Sequence, residues 1–520
     1  MNYCLVPLGC QMNQSDTERI RTVLEAMGYR PTDREEEADL LGIVACSVRQ
    51  KAIDKVYAKI HKWNEWKLRK NLLTFVSGCI LPADREKFLK RFDLLFTINE
   101  LPHLPDMIRQ YGVVTPAALA QPGEMPEPPQ PPAPSVGAAE PETPAPRVQT
   151  VSIGRLARRP LPAAIPDSSL LDETRGFWHI EPSYSSSFEA FVPIQNGCDK
   201  FCTFCAVPYT RGREVSRPST EILHEVTRLA DAGYRCITLL GQNVNSYGLD
   251  RRSDEIGFPE LLRRIGRIGA EREHPFRLYF TSPHPHDMTD EVIDVIAEYP
   301  CLGKQIHLPM QSGDDKVLIR MNRNYRIDGY RRVVEAIRRT IPEATLFTDI
   351  IVGFTGETEA QFQNTVSAMR EFAFNMAYVA MYSPRPGAAS SRWADDVPLD
   401  EKKRRLHLLS EVLQETSGAY NRNLVGSRVR VLVDGTDRKP GFVSTKTEGR
   451  LIVRVADPGA DAADGTPAGR GIVGSLLDVE ITAASPLSME GRIVDPRAVA
   501  PAHWSAGSVL QATPFPVGAR

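Results

Sequence analysis

Between residue 190 and about residue 385 the chain alternates six apolar runs with amphipathic stretches, and this alternation limits the fold more than any other feature. The runs are AFVPIQN, CITLLGQN, RLYFTSP, QIHLPMQ, LFTDIIVGF and MAYVAMYS, separated by segments of helical spacing such as STEILHEVTRLADAGY, DEVIDVIAEY, GYRRVVEAIRRT and EAQFQNTVSAMREF. Strands alternating with helices build a parallel sheet. Six such units predict a partial (β/α)6 barrel rather than the eight units of a complete one. The barrel rule places its chemistry at the carboxyl ends of the strands.

The same alternation occurs at the start of the chain. NYCLVPLGC ends at Cys10, ADLLGIVAC at Cys46 and NLLTFVSGC at Cys79, with SDTERIRTVLEAMGY and KAIDKVYAKIHKW between them. Ser15 and Glu18 have capping-box spacing, and Ile20, Val23, Leu24 and Met27 fall on one helix face. A parallel sheet would carry all three cysteines to one edge, outside the carboxyl ends of its strands. After a basic helix, EKKRRLHLLSEVLQETSGAYNRNLV, the period becomes two in RVRVLVDG, RLIVRVAD and LLDVEIT. That pattern predicts a small antiparallel β-barrel, with oligonucleotide-binding folds among the candidates.

At 520 residues the chain exceeds one core, since a domain takes about 100 to 200 residues. The expected division is an α/β domain over 1–112, a barrel over 188–418 and a β-domain over 419–495. Residues 113–187 are Pro- and Ala-rich at first and read as a disordered insert or linker, and 496–520 as a loose tail. Nothing approaches the roughly 18 apolar residues of a membrane span, and MNYCLVPLGC lacks the pattern of a secretory signal, so the expected location is the cytoplasm. The net charge of -2 neither demands nor excludes nucleic acid. Nine cysteines, an odd and sparse set, favour metal or chemistry over a disulfide framework.

Cys198, Cys202 and Cys205 form Cx3Cx2C on the loop leaving the first barrel strand. A closed zinc site wants four ligands, and no fourth cysteine stands nearby. Three thiolates on a tight loop suit a 4Fe–4S cluster with one iron left for an exogenous ligand. Cys10, Cys46 and Cys79, repeated at strand ends, suggest a second three-cysteine cluster. Cys4 and Cys236 read as core thiols and Cys301 as a loop thiol. Other strand ends offer groups suited to a ribose or carboxylate: Gly241, Gln242 and Asn243; Gln311 and Ser312; Gly353 and Gly356.

Cx3Cx2C with the aromatic Phe204, on the first loop of a partial barrel, resembles the radical S-adenosylmethionine superfamily. Two triads, a barrel and a terminal β-domain together resemble the methylthiotransferase family, with its cluster domain, radical core and TRAM domain. The stretches that carry this likeness are GCQMNQSD, ACSVRQKAIDKV, SGCILP, GCDKFCTFCAVPYTRGREVSRP, LLGQNVNSYG, HLPMQSGDDKVLIRMNRNY, DIIVGFTGET and YSPRPGAA. Ala45 and Thr355 stand where the family usually has threonine and proline.

The resemblance implies two 4Fe–4S clusters, on Cys10, Cys46 and Cys79 and on Cys198, Cys202 and Cys205, with S-adenosylmethionine chelated by the open iron of the second. CSVRQKA and GQNVNSYG are most like the branch that methylthiolates carbon 2 of N(6)-dimethylallyladenosine at position 37 of tRNA. Other branches act on threonylcarbamoyladenosine or on a ribosomal-protein aspartate, and an RNA-binding iron–sulfur protein without turnover is the non-enzymatic alternative. The implied partners are the tRNA anticodon stem-loop, an electron donor such as flavodoxin or ferredoxin, and a sulfur donor. A monomer is expected. Phosphate contacts are expected from Lys51, Lys55, Lys59 and Lys62, from Lys402, Lys403, Arg404 and Arg405, and from Arg428, Arg430 and Arg450. Phe442 is one aromatic in a β-domain otherwise suited to backbone contact.

Overall fold

The computed structural model describes residues 1–46, 50–111, 176–272, 276–458 and 472–494. The expected tail, and the Pro-rich part of the expected insert up to residue 175, lie outside these. The chain divides into two compact units, Met1–Ser183 and Tyr184–Arg520.

The first unit is built on a five-stranded sheet in the order β2-β1-β3-β4-β5, parallel throughout. Its strands are β1 (Asn2–Leu8), β2 (Arg30–Pro31), β3 (Leu40–Cys46), β4 (Leu73–Cys79) and β5 (Leu94–Leu95). Helices α1 (Gln11–Ala26), α2 (Gln50–Lys67), α3 (Pro82–Leu89) and α4 (Leu104–Gln110) follow β1, β3, β4 and β5. β3 and β4 are buried along their whole length, as strands covered on both faces must be, which is why LLGIVAC and LTFVSGC are nearly continuous apolar runs. Ile43, Val76, Trp63 and Phe88 join in the core on one side.

Two expectations change here. α1 begins at Gln11, with Cys10 as its N-cap, so Ser15 and Glu18 lie inside the helix rather than at its start. Residues 176–183 are packed chain rather than linker. Phe177 and Trp178 are buried, the Arg19 guanidinium lies over the Phe177 ring, Thr22 Oγ1 donates to Glu181 O and Ser183 N–H donates to Glu18 O. Two buried aromatic rings contribute enough apolar burial to order this end of the segment.

In the second unit six parallel strands form the partial barrel in two halves, β10-β9-β6 and β11-β12-β13. They are β6 (Glu189–Pro193), β9 (Cys236–Leu240), β10 (Arg277–Phe280), β11 (Gln305–His307), β12 (Thr345–Val352) and β13 (Met376–Met381). A parallel bridge between Leu278 and Leu302 continues the wall from one half to the other. A short pair, β7 (Gln195–Asn196) and β8 (Val215–Ser216), closes the base of the cysteine loop. Around the strands lie α5 (Val207–Thr210), α6 (Ser219–Asp231), α7 (Phe258–Ala270), α8 (Asp290–Glu298), α9 (Asp315–Arg320), α10 (Ile327–Thr340) and α11 (Glu359–Phe372). Ile237 and Leu239 join the core against these helices, so the alternate residues Cys236 and Thr238 face the barrel lumen.

The long helix α12 (Leu399–Asn423) leads to a closed five-stranded barrel, β14-β15-β16-β18-β17. Its strands are β14 (Arg428–Thr436), β15 (Phe442–Lys446), β16 (Ile452–Ala456), β17 (Leu476–Ala484) and β18 (Met489–Ile493). The antiparallel expectation holds for every pairing but β16 with β18, which runs parallel. Val431, Val433, Val443, Val453, Val479 and Ile481 fill it. The β15–β16 turn sits at the amino-terminal mouth of the larger barrel. There Tyr279 Oη donates to Glu448 O and Thr345 Oγ1 donates to Gly449 O.

Candidate functional site: two cysteine triads

In the first unit the parallel register sets Cys46 directly opposite Cys79, and Leu8, two residues before Cys10, opposite Ala45. Cys46 and Cys79 are buried, and Cys10 is exposed at the cap of α1. Asn13 ties this edge together. Its Oδ1 accepts from Cys10 N–H at 3.2 Å and lies 3.4 Å from Cys10 Sγ, while its Nδ2 donates to Ala45 O at 3.0 Å. The fit demands two glycines. A Cβ on Gly9 would stand 2.1 Å from Asn13 Oδ1, and one on Gly78, at φ +100°, would stand 2.5 Å from Ala45 O.

In the second unit Cys198, Cys202 and Cys205 lie on the loop after β7. Gly197, at φ +75°, turns the chain into the loop where a Cβ would meet Arg213 O at 1.9 Å. Thr203 N–H donates to Met321 O, Thr203 Oγ1 to Arg320 O, and Asn322 Nδ2 to Phe201 O, so the end of α9 clamps the loop. Cys205 Sγ accepts from Val207 N–H, and Arg323 Nη1 donates to Cys202 Sγ at 3.3 Å. Burial pushes the Cys198 thiol up to about 12 and Cys205 up to about 11, and the neighbouring cysteines push in the same direction. A metal that replaces the protons would relieve both burdens.

Three thiols that sense one another fit a cluster that takes one thiolate per iron. Among the described residues no group of His, Cys, Asp or Glu converges as ligands of a single ion would. His224 is exposed on α6 and supplies no fourth ligand to the loop.

Beside the triad lies a polar group that the sequence reading missed. Asp287 accepts from His286 Nδ1 at 2.8 Å, Lys200 Nζ at 2.6 Å and Asn243 Nδ2 at 3.2 Å. Burial would raise its carboxyl, but the His286 and Lys200 contacts outweigh this and hold it below the ordinary range. Burial, with the Arg323 charge, keeps the His284 imidazole neutral. Glu214 is pushed up to about 7 by burial, against a hydrogen bond with Ser246 Oγ at 2.6 Å. These residues come from loops far apart in the chain, so no spacing announces them.

The expected cofactor contacts divide. Gly241 approaches Gln195 closely, and Gln242 is half-buried beside it. The Oδ1 of Asn243 is buried and has no hydrogen-bond partner among the described residues. Gln311 adopts φ +67°, its N–H donating to Asp349 O. Phe204 packs edge-on against Phe354. By contrast, Ser312 Oγ is engaged with Thr365 Oγ1, Gly353 N–H donates to Glu357, and Gly356 N–H donates to Asp396. Those two glycines admit the close approach of Lys402 and Arg320, protein groups rather than a ligand.

Most expected phosphate contacts also have other work. Lys402 is buried, donating to Tyr382 O and paired with Asp395, and Arg405 is buried against Glu357 and Glu401. Arg404 pairs with Glu401 and Glu359, Lys403 with Asp400, Lys59 with Glu35, Lys62 with Glu36, and Arg430 with Asp478 through both oxygens. Arg450 reaches into the barrel floor, donating to Cys236 Sγ at 3.3 Å and Thr238 Oγ1 at 3.1 Å, 3.5 Å from Glu189 and over the Tyr279 ring. Acids three and four residues away on α12 claim Lys403, Arg404 and Arg405, and Asp478 on the neighbouring strand claims Arg430, while Lys59 and Lys62 are met by Glu35 and Glu36 from before β3. Lys55 and Arg428 remain exposed without an ion pair among the described residues, and the Lys51 side chain lies outside them.

Residues 192–369 match the model of the Radical SAM superfamily, and residues 2–98 match Uncharacterized protein family UPF0004. The chain is 35% identical over 494 residues to a tRNA-2-methylthio-N(6)-dimethylallyladenosine synthase of Salmonella arizonae, covering 94% of this chain and 91% of the relative. The enzymes of that name from Shigella boydii serotype 4 and Escherichia coli O139:H28 are also 35% identical, over 497 residues at the same coverage. The chain belongs to this methylthiotransferase family. The cofactors of this methylthiotransferase are S-adenosylmethionine and 4Fe–4S clusters, two per chain. Among solved structures, the radical S-adenosylmethionine methyltransferase TsrM of Kitasatospora setae aligns at TM-score 0.48 and 13% identity, covering 87% of this chain and 82% of that one. No helix among the described residues of this methylthiotransferase is long and apolar enough to cross a membrane.

Proposed function

We propose that this chain transfers a methylthio group to carbon 2 of N(6)-dimethylallyladenosine at position 37 of tRNA, using two S-adenosylmethionine per turnover. The observation that carries the reading is the 35% identity, over 94% of the chain, to enzymes named for that product. Cys10, Cys46 and Cys79 would hold one cluster and Cys198, Cys202 and Cys205 the other. When bound, the clusters supply the electron that cleaves S-adenosylmethionine and a seat for the sulfur to be transferred.

The chain's own residues position and shield. Asn13 fixes the strand edge that bears the first triad, and the α9 clamp fixes the loop that bears the second. Asn243 Oδ1, buried and unpartnered among the described residues, would accept a hydrogen bond from the cofactor. Asp287, with its cations, keeps a charged patch ordered next to it. An anticodon-loop adenine can be turned out without opening a duplex, and Arg428 and Lys55 would meet the tRNA backbone. A low-potential donor such as flavodoxin or ferredoxin would feed the electrons, and a sulfur donor would restore the transferred sulfur. The reaction would run in the cytoplasm, on a monomer.

The test is mass spectrometry of tRNA nucleosides from a strain lacking this chain. The expected result is loss of 2-methylthio-N(6)-dimethylallyladenosine with build-up of its unthiolated precursor. An unchanged level of that nucleoside, with loss of methylthiolation on threonylcarbamoyladenosine or on a ribosomal protein, would move the chain to another branch.

A further inference from the structure

Arg323 follows α9 in the stretch RMNRNY. Its guanidinium is buried, with Nη1 3.3 Å from Cys202 Sγ, Nε donating to Tyr325 Oη at 3.1 Å and Nη2 donating to Pro309 O at 3.2 Å. The Tyr325 ring lies beneath it, 5.1 Å from centroid to guanidinium carbon. Among the described residues no carboxylate pairs with it. The nearby acid Asp287 is taken by Lys200 and His286, and His284, which feels the Arg323 charge, is neutral.

Burying a cation without a counter-ion strips it of hydration that nothing replaces, so a fold that holds one needs a partner of opposite charge. Among the described residues the anionic partner on offer is the sulfur it touches, once that sulfur is a thiolate. A positive charge in a water-poor setting acts strongly on a neighbour whose own charge changes. Hydrogen bonds to ligating sulfur and nearby charge are the means by which a protein shifts the potential of an iron–sulfur cluster.

We propose that Arg323 raises the reduction potential of the cluster held by Cys198, Cys202 and Cys205 by fixing a positive charge on the Cys202 sulfur. It rests on the cluster reading above. One electron enters from a low-potential one-electron donor and the cluster gains one negative charge. Arg323 keeps its proton, and no bond in the protein forms or breaks. The guanidinium thereby stabilises the reduced state from which S-adenosylmethionine is cleaved.

The experiment uses the full chain carrying C10A, C46A and C79A, so that one cluster site remains, reconstituted anaerobically with iron and sulfide. R323M and R323K are compared with this parent by redox titration followed by electron paramagnetic resonance, with iron counted in each. The expected result is a more negative midpoint in R323M at unchanged iron content, and a smaller shift in R323K, which keeps the charge. Equal midpoints in all three, or loss of iron from both variants with the fold intact, would overturn the proposal. Absence of iron from the parent would overturn the cluster reading itself, and so is distinguishable from a cluster whose potential does not move.

Discussion

Cys46 and Cys79 face each other as register partners on β3 and β4, and Gly78, at φ +100°, is the residue that lets the second of them do so. A Cβ there would crowd Ala45 O at 2.5 Å in a conformation that side chains disfavour. Gly78→Ala is expected to destabilise the chain by about 1 to 3 kcal/mol and to halve the iron taken up on reconstitution. Urea unfolding and iron analysis check both.

Asn13 joins Cys10 to Ala45 by its amide. Asn13→Ala removes the N3 half of the capping box that Asn13 forms with the N-cap Cys10 and leaves Ala45 O unpaired, for an expected loss of about 1 to 3 kcal/mol. Iron should fall in the first triad only, so S-adenosylmethionine cleavage by the second should persist while methylthio transfer is lost. Assaying both products on one sample separates the two.

Glu214 has its carboxyl pushed up from 4.5 to about 7 by burial. Between those values the folded apo-protein holds a proton that the unfolded chain has released. Its contribution to stability is therefore full below pH 4.5, declines as pH rises, and is gone above about 7, over a range on the order of 3 kcal/mol. Glu214→Gln is expected to flatten that decline in urea unfolding measured across the window.

Arg450 and Arg428 should separate by what they do. Arg450→Met strips the barrel floor of two hydrogen bonds, an ion pair and a ring contact, for an expected loss of about 2 to 3 kcal/mol in thermal unfolding, with tRNA affinity retained. Arg428→Ala should leave stability alone, weaken tRNA binding across sequences and reduce its salt slope by about one.

What the sequence by itself determined is local or periodic. Alternating runs specify parallel strands because only a sheet covered on both faces accepts continuous apolar segments such as LLGIVAC. The cysteines at strand ends then share an edge whatever the loop lengths, since parallel topology delivers every carboxyl end to the same side. Period two marked three strands of the terminal barrel, but not the parallel pairing of β16 with β18, which depends on the order in which a closed barrel is completed.

Only the tertiary structure decided which charges are free and which groups attend the thiols. Arg323 meets Cys202 across more than a hundred residues, and Arg450 leaves its own barrel to meet Cys236 in another. Lys402 and Arg405 looked like a basic patch, yet burial selected them as internal partners of Asp395 and Glu357. A sequence records that a side chain carries charge. Whether water or another residue answers it depends on the surfaces that folding brings against it, because an unpaired ion is tolerated only where solvent reaches.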